Sequence, residues 1–409
     1  MNSEIKQIDK ILLPKYLGSE GEITKCHVKR LTAAGENYGS LMLAIDVTIR
    51  NEDSGKERVL HIVGKAVPPN EFIQKMFKSP LTFKKELEFY RIIVPTLQEF
   101  QRENGIEKVM DFFPEFYGGR MGMNPHSDEF DDNAVILLEN LKMKGYYCVD
   151  RTIGFDLNAA KYILKNLAIL HGVPLALKLK RPEEFQKKIL PHIHTIKLFD
   201  GLGDDILNAM IDSFISIAKE NEECLPFIPN MKKKLLESFN LLENPIQPRE
   251  PFSTLIHLDF WVNNTMVRTE EGKVVGNKIV DFQIPEYGSP ARDLTFFIFD
   301  SIQNEVIVKH YNHLIEFYHQ NLIDTLKQFD VNTKSFSLEA FKDEIDLAMK
   351  EFVRLQCFIM LKPIFATQDT VKEVEDMSLN DLKENNVIAQ PQKEKLWMLV
   401  KEFGKRGWL

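Results

Sequence analysis

Two stretches of this 409-residue sequence decide its interpretation: HLDFWVNN at 257–264 and IVDFQ at 279–283. In the first stretch Asp259 is followed five residues later by Asn264, and in the second Asp281 ends a short apolar run. Phosphoryl transfer needs a carboxylate that orients the attacking hydroxyl and takes its proton. It also needs oxygen ligands that hold Mg²⁺ against the nucleotide phosphates. The spacing H-x-D-x-x-x-x-N is that of a kinase catalytic loop, so we predict Asp259 as the catalytic residue and Asn264 and Asp281 as metal ligands.

A simpler interpretation exists for each half of this pattern. Aspartate and asparagine are frequent in turns, where their side chains hydrogen-bond to the backbone. Either half taken alone favours such a turn. The two halves together, in this order along the chain, favour phosphoryl transfer.

A pair of charged residues upstream provides an independent indication. Lys65 lies inside the apolar run of a predicted strand, and Glu86 lies on the apolar stripe of the helix predicted after it. A buried ammonium and a buried carboxylate are each unfavourable without a partner. We therefore predict that Lys65 and Glu86 form an ion pair. We also predict that Lys65 contacts the nucleotide phosphates, and that Lys65 and Asp281 serve the same triphosphate. Two unrelated charges that extend to solvent are the alternative.

A glycine-containing loop, GENYGS at 35–40, lies between the first and second predicted strands, where a phosphate-covering loop is expected. Glycine allows close approach of the backbone, and exposed N–H groups can bind phosphate oxygens. We predict nucleotide contacts by Gly35, Asn37 and Ser40. The pattern is not G-x-G-x-x-G, and an ordinary hairpin with two glycines is the alternative.

The segment LLENL at 137–141 ends the last predicted strand of the first half of the chain. A backbone at such a connection offers one donor and one acceptor to the adenine ring. We predict that Glu139 and Leu141 bind the nucleotide in this way. An ordinary strand end that leads into a linker is equally compatible with the sequence.

The first half of the chain shows the alternation of apolar and polar residues that is typical of half-buried strands. The strand candidates are 23–34, 40–50, 59–67, 113–117 and 134–139. A helical pattern at 70–104, with interruptions expected at Pro80 and Pro95, separates the third candidate from the fourth. Sequential strands with short turns predict an antiparallel sheet.

Beyond about residue 142 the pattern is mainly helical, and strand-like segments return only at 254–267 and 278–283. We therefore predict an α+β fold with two lobes. Residues 1–141 form an N-terminal lobe with an antiparallel five-stranded sheet and a helix. Residues 142–409 form a larger, mainly helical C-terminal lobe that carries the catalytic loop, the metal site and the acceptor pocket.

Composition excludes several classes of function. The formal net charge of −8 argues against a nucleic-acid partner. We find no apolar run that approaches the roughly 18 residues of a membrane span, and no secretory signal at the start. Four scattered cysteines without a C-x-x-C pair fit a reducing compartment. We expect a soluble cytoplasmic protein without membrane association, and we can infer no protein partner.

The chain resembles the ecdysteroid kinase-like group of small-molecule kinases, which is related to choline kinases and aminoglycoside phosphotransferases. The resembling segments, in order, are GENYGS (35–40), VGKAVP (63–68), FKKELEFY (83–90), LLENL (137–141), LAILH (167–171), HLDFWVNN (257–264) and DFQIPEYGSPARDLTFF (281–297). This resemblance implies a protein-kinase-like fold, ATP and Mg²⁺ as cofactors, and a small hydroxylated acceptor such as an ecdysteroid-like sterol. It also implies that Asp293, a candidate helix N-cap by sequence, holds backbone amides of the catalytic loop. We expect His171 to be a hydrogen-bonded core residue.

One position departs from the family pattern, because Leu258 occupies a site that is usually glycine. If the backbone there requires a positive φ, leucine is strained. This feature favours the first alternative function, a catalytically silent nucleotide- or steroid-binding protein. The second alternative is a kinase for choline-like or aminoglycoside acceptors, which requires an acidic or aromatic pocket in the helical lobe.

Overall fold

The computed structural model describes nine segments of the chain. They are residues 5–18, 21–31, 40–51, 55–124, 127, 129–196, 204–243, 247–366 and 389–409. The described residues of Met1–Arg91 and Phe113–Tyr147 form one compact unit. Those of Ile92–Phe112, Cys148–Phe365 and Asn385–Leu409 form a second, larger unit. The lobe boundary between residues 141 and 142 stays a prediction.

The first unit is built on a five-stranded antiparallel sheet. Its strands are β1 (Gly21–Arg30), β2 (Leu41–Asn51), β3 (Glu57–Ala66), β4 (Phe116–Arg120) and β5 (Val135–Glu139), in the order β1-β2-β3-β5-β4. Each overlaps a predicted strand. On β2 the alternation buries Ile45, Val47 and Ile49, which are at most 2% exposed. A one-residue slip would turn these side chains to the opposite face, so the pattern also fixes the register.

Short helices accompany this sheet. They are α1 (Ile8–Ile11), α2 (Pro14–Leu17), α3 (Glu71–Met76) and α4 (Ser79–Glu88), and a π turn (Phe89–Ile93) follows α4. The interruption expected at Pro80 is confirmed, because α3 ends before it and Pro80 lies in the first turn of α4. Proline fits there since the N–H it lacks has no intrahelical partner in a first turn.

The second unit is mainly helical. Its helices are α5 (Val94–Glu103), α6 (Leu157–Lys180), α7 (Pro182–Lys188), α8 (Asp204–Ala218), α9 (Ile228–Glu243), α10 (Ala291–Ser301), α11 (Asn304–Lys327), α12 (Leu338–Ala348), α13 (Arg354–Ile364) and α14 (Gln390–Lys405). Pro95 lies in the first turn of α5, directly after the π turn. A second π turn, Met349–Val353, separates α12 from α13. Together the two units confirm the predicted α+β fold class.

Two small antiparallel sheets interrupt these helices. β6 (Thr254–Ile256) pairs with β9 (Glu286–Gly288), and β7 (Thr265–Glu270) pairs with β8 (Lys273–Ile279). The prediction of strand at 254–267 was therefore only partly right, because residues 257–264 form a loop between β6 and β7. The strand expected at 278–283 begins earlier and ends at Ile279.

Helix α6 corrects the expectation that no segment reaches the length of a membrane span. By length and composition it is apolar enough, with a mean hydropathy of 1.2 in its 18-residue window. However, 67% of that window is buried inside the protein. Burial of this extent is typical of a core helix in a globular protein.

Candidate active site

The loop between β6 and β7 carries Asp259 and Asn264. The Asn264 side-chain amide donates hydrogen bonds to the Asp259 carboxylate (Nδ2–Oδ2 2.9 Å) and to the Asp259 carbonyl (2.9 Å). The structure thus brings together the predicted catalytic residue and one predicted metal ligand. Because the amide nitrogen is committed to Asp259, the amide oxygen of Asn264 is the atom suited to a cation.

The β7–β8 hairpin brings Asp281 to the same place. Thr265 pairs with Ile279 in this hairpin, and the Val280 N–H donates to the Asn264 carbonyl (2.9 Å). Asn264 and Asp281 therefore lie at the same end of one hairpin. Asp281 has a φ of 68°, which is uncommon for a residue other than glycine. Backbone of this kind is enriched at functional sites, although aspartate adopts it more readily than most residues.

The donor set fits magnesium. Mg²⁺ prefers oxygen ligands and usually takes only one or two from side chains, with phosphate and water completing its shell. The Asn264 amide oxygen and the Asp281 carboxylate are such a pair. Within the part of the chain that the structure describes, no group of three or more His, Cys, Asp or Glu side chains could hold a metal ion. Asn264 and Asp281 stay the predicted ligands.

Asp293 anchors the start of the catalytic loop. Its carboxylate accepts hydrogen bonds from the backbone N–H groups of His257 (2.6 Å) and Leu258 (2.8 Å). This is the role that the family resemblance implied. The N-cap prediction was wrong, because α10 begins at Ala291 and Asp293 lies inside its first turn. Burial alone would raise the pKa of Asp293, but the hydrogen bonds from the His171 side chain and the His257 N–H lower it.

Leu258, which replaces the usual glycine of the family, does have a positive φ. Its φ is 70°, in the left-handed region that favours glycine. An L-residue in this region costs roughly 1–2 kcal/mol. Two hydrogen bonds hold this conformation. The Leu258 N–H donates to the Asp293 carboxylate, and the Gln356 side-chain amide donates to the Leu258 carbonyl (3.3 Å).

His171 is a hydrogen-bonded core residue, as expected. Its Nε2 lies 3.0 Å from Asp293 Oδ2, and its Nδ1 lies 2.6 Å from the Tyr318 hydroxyl. Sequence reasoning did not find Tyr318. It lies 147 residues from His171, and no local pattern in α11 distinguishes it from the other apolar positions of that helix.

His257 joins the loop to the residue before Asp281. Its Nε2 donates to the Val280 carbonyl (2.9 Å), and its Nδ1 is buried without a hydrogen-bond partner among the described residues. Burial lowers the pKa of His257. Protonation would place a charge and an unpaired N–H in the core, so the folded protein holds this imidazole neutral.

This burial predicts a pH dependence. An unfolded histidine binds a proton near pH 6.5, whereas folded His257 resists protonation, so the unfolded state binds more protons as the pH falls below that value. The free energy of unfolding should therefore drop from about pH 7.5 to about pH 5.5 more steeply in wild type than in His257→Gln. Urea denaturation at a series of pH values measures this. His313→Gln, at an exposed position of α11, is the control that should keep the wild-type dependence, and equal slopes in wild type and His257→Gln would contradict the prediction.

Lys65 and Glu86 pair within the first unit. Lys65 Nζ lies 2.6 Å from Glu86 Oε2, and the two side chains are only 3% and 1% exposed. β3 supplies the lysine and α4 the glutamate. The predicted contact is therefore present. Its role toward a nucleotide stays a prediction.

The glycine-loop residues are only partly described. Gly35 and Asn37 lie outside the described residues. Ser40 is described, and it is a buried residue directly before β2. No placement of the predicted phosphate-covering loop follows from Ser40 alone, so this part of the nucleotide site stays a prediction.

The connection after β5 is ordered. The Glu139 N–H donates to the Glu115 carbonyl (2.8 Å), while the Glu139 carboxylate is buried against the Lys144 ammonium. Leu141 begins a short 3-10 turn, and its carbonyl accepts from the Tyr146 N–H (3.1 Å). An N–H in the first turn of a helix has no intrahelical acceptor, so the Leu141 N–H is the group of this segment best suited to an adenine ring.

Comparison with known proteins identifies the family. Residues 34–331 match the model of the ecdysteroid kinase-like family. The chain belongs to this family. The match spans most of the chain, and it confirms the resemblance that the motifs indicated. No curated protein sequence matches the chain significantly.

Several solved structures are similar to this ecdysteroid kinase-like protein at low identity. They include the ethanolamine kinase of Plasmodium vivax (11% identity, TM-score 0.39, 94% of this chain and 84% of that chain). The choline kinase of Cryptosporidium parvum matches with 12% identity and a TM-score of 0.42, over 99% and 96% of the two chains. Wild-type aminoglycoside 2′-phosphotransferase-IIIa in its GDP complex matches with 12% identity and a TM-score of 0.39, over 100% of both chains. Similarities at this level do not identify an acceptor.

Proposed function

We propose that this ecdysteroid kinase-like protein transfers the γ-phosphoryl group of ATP to a hydroxyl group of a small molecule, with Mg²⁺ as cofactor. One observation carries the proposal. The Asp259 carboxylate is hydrogen-bonded to the Asn264 amide. The β7–β8 hairpin, which begins directly after Asn264, brings the chain back to the same end at Asp281. A carboxylate base beside two oxygen ligands is the minimum set for this reaction.

In this mechanism Asp259 orients the acceptor hydroxyl and accepts its proton as the oxygen attacks the γ-phosphorus. The hydrogen bond from Asn264 fixes the carboxylate, so little reorientation is needed during the reaction. The attack is in line, and the bond between the γ-phosphorus and the bridging oxygen of ADP breaks as the new P–O bond forms. The products are ADP and a phosphomonoester.

Other residues bind the nucleotide in this proposal. Mg²⁺ held by Asn264 and Asp281 would neutralise negative charge on the phosphates. Lys65, oriented by Glu86, contacts phosphate oxygens as a compact positive charge. The Leu141 N–H contacts the adenine ring.

We propose a sterol-like molecule such as an ecdysteroid as the acceptor, on the basis of family membership. We also propose a cytoplasmic location, because the four scattered cysteines fit a reducing compartment. The rival choline-like acceptor requires an acidic or aromatic pocket. A small surface cavity in the second unit has Glu286, Glu344 and Glu351 in its wall, with Arg249 and Arg292. Arg292 pairs with Glu286 (2.8 Å) and Arg249 with Glu344 (2.7 Å), so most of its charge is neutralised and the cavity does not favour a cationic acceptor.

A second candidate function is a silent nucleotide- or steroid-binding protein, which the strained Leu258 favours. A panel of acceptors separates the two: hydroxylated steroids, choline, ethanolamine and an aminoglycoside, each assayed for ADP formation with Mg²⁺ and with chelator. We expect Mg²⁺-dependent ADP formation with the steroids. Binding of ATP without turnover of any acceptor would favour the silent protein. Turnover of choline alone would show that the acceptor is choline-like and would contradict the proposed sterol.

A further inference from the structure

Leu258 immediately precedes the proposed catalytic residue, and its conformation is unfavourable for leucine. Its φ of 70° lies in the left-handed region. Without restraint, a leucine at this position would relax toward a right-handed or extended backbone. Such a change would redirect the Asp259 side chain, since the two residues share a peptide bond.

A chain of buried hydrogen bonds opposes this relaxation. Asp293 accepts from the Leu258 N–H (2.8 Å) and from the preceding His257 N–H (2.6 Å). His171 lies 3.0 Å from the same carboxylate, and Tyr318 lies 2.6 Å from the other nitrogen of that imidazole. The side chains of Asp293, His171 and Tyr318 are at most 1% exposed, so water does not compete for these bonds.

The chemistry of the carboxylate assigns a direction to the bond between His171 and Asp293. The Asp293 carboxylate accepts, so His171 Nε2 carries the hydrogen and donates. The other ring nitrogen, Nδ1, faces the Tyr318 hydroxyl at 2.6 Å. Burial keeps the pKa of Tyr318 far above its usual value, so the hydroxyl retains its proton. Tyr318 thereby fixes the orientation of the His171 ring that holds Asp293.

We propose that Tyr318 and His171 are positioning residues that act through Asp293 to hold Leu258 in its left-handed conformation and so keep Asp259 in its reactive orientation. The proposal rests on the proposed function, for which Asp259 is the base. A glycine at position 258 adopts a positive φ without strain and needs no such restraint. The hydrogen-bond chain therefore opposes a strain that leucine, unlike glycine, brings to this position.

The proposal predicts coupling between positions 258 and 318. If the loop has a reactive and a relaxed state, loss of the Tyr318 hydroxyl lowers the reactive fraction only where leucine strain opposes that state. With Leu258 present, Tyr318→Phe should lower kcat about tenfold and leave the KM for ATP unchanged. In a Leu258→Gly background the same substitution should lower kcat less than about twofold.

A second readout does not require turnover. Hydrogen exchange of the His257 amide reports opening of its bond to Asp293. Tyr318→Phe should speed this exchange about tenfold with Leu258 and less than about twofold with Leu258→Gly. His171→Gln breaks the chain one step closer to Asp293 and should show the same dependence on residue 258. Tyr311→Phe is the matched control, since Tyr311 is a buried tyrosine on the same helix that packs against Trp408, and it should change neither readout.

Equal effects of Tyr318→Phe and of His171→Gln in the leucine and glycine backgrounds would overturn the proposal. An effect of Tyr311→Phe as large as that of Tyr318→Phe would also overturn it. If wild type binds ATP and forms no ADP with any acceptor, the proposed function fails. The exchange rates of the His257 amide then still decide whether the hydrogen-bond chain holds the loop.

Discussion

Asp259→Asn is expected to lower the rate of phosphoryl transfer about 100- to 10,000-fold, because an amide cannot accept the proton of the attacking hydroxyl. Asparagine has nearly the same shape as aspartate. Asn264 and Asp281 are unchanged, so the affinity for ATP with Mg²⁺ should stay within about threefold of wild type. Initial rates of ADP formation with an active acceptor, together with calorimetric titration of ATP, measure both quantities.

Asp212→Asn is the matched control for this substitution. Asp212 lies on α8 in the same unit, pairs with Lys232 at the surface and has no part in the site. Its turnover should equal that of wild type. Turnover of Asp259→Asn at the wild-type rate would remove Asp259 from the mechanism, and an equal loss in both variants would indicate a general effect on folding.

The second large effect concerns the stability of the sheet unit. Lys65→Met leaves the Glu86 carboxylate buried without its cation, and breaking a buried ion pair from one side typically costs about 3–5 kcal/mol. The double variant Lys65→Met with Glu86→Leu removes both charges, so it should recover most of that loss. Urea denaturation of the wild type, the single variant and the double variant measures the free energies of unfolding.

An exposed ion pair provides the control. Lys75 and Glu71 form a pair on α3 with both side chains more than 80% exposed, so Lys75→Met should change stability little. If Lys65→Met were as mild as Lys75→Met, the Lys65–Glu86 pair would not be buried as described. If the double variant were less stable than Lys65→Met, the uncompensated charge would not be the cause.

The parts of this protein that the sequence predicted are those set by local chemistry. Alternation of apolar residues predicted β2, since one of its faces is buried more deeply than the other. The Lys65–Glu86 contact followed from two charges on otherwise apolar faces. Each of these charges is unfavourable in the core unless it is paired with the other. The catalytic loop followed from the spacing of Asp259 and Asn264, whose short separation lets one loop bring the two side chains into contact.

The parts that the sequence did not predict depend on tertiary packing. Asp293 was expected at an N-cap because aspartate favours that position, but Pro290 and Ala291 begin the helix earlier and the carboxylate turns to the catalytic loop instead. The expectation that no apolar run approaches a membrane span missed α6, which continues as one helix through Pro174. Tyr318 was missed because its partner is distant in the chain.

The most direct test of the central claim follows the phosphoryl group itself. ATP labelled with ¹⁸O in its γ-phosphate is incubated with the wild-type protein, Mg²⁺ and a panel of hydroxylated small molecules, and mass spectrometry detects labelled phosphomonoesters. We predict a labelled product with wild type and none above background with Asp259→Asn. Nucleotide binding by wild type with no labelled product from any acceptor, or equal labelling by wild type and Asp259→Asn, would contradict the account.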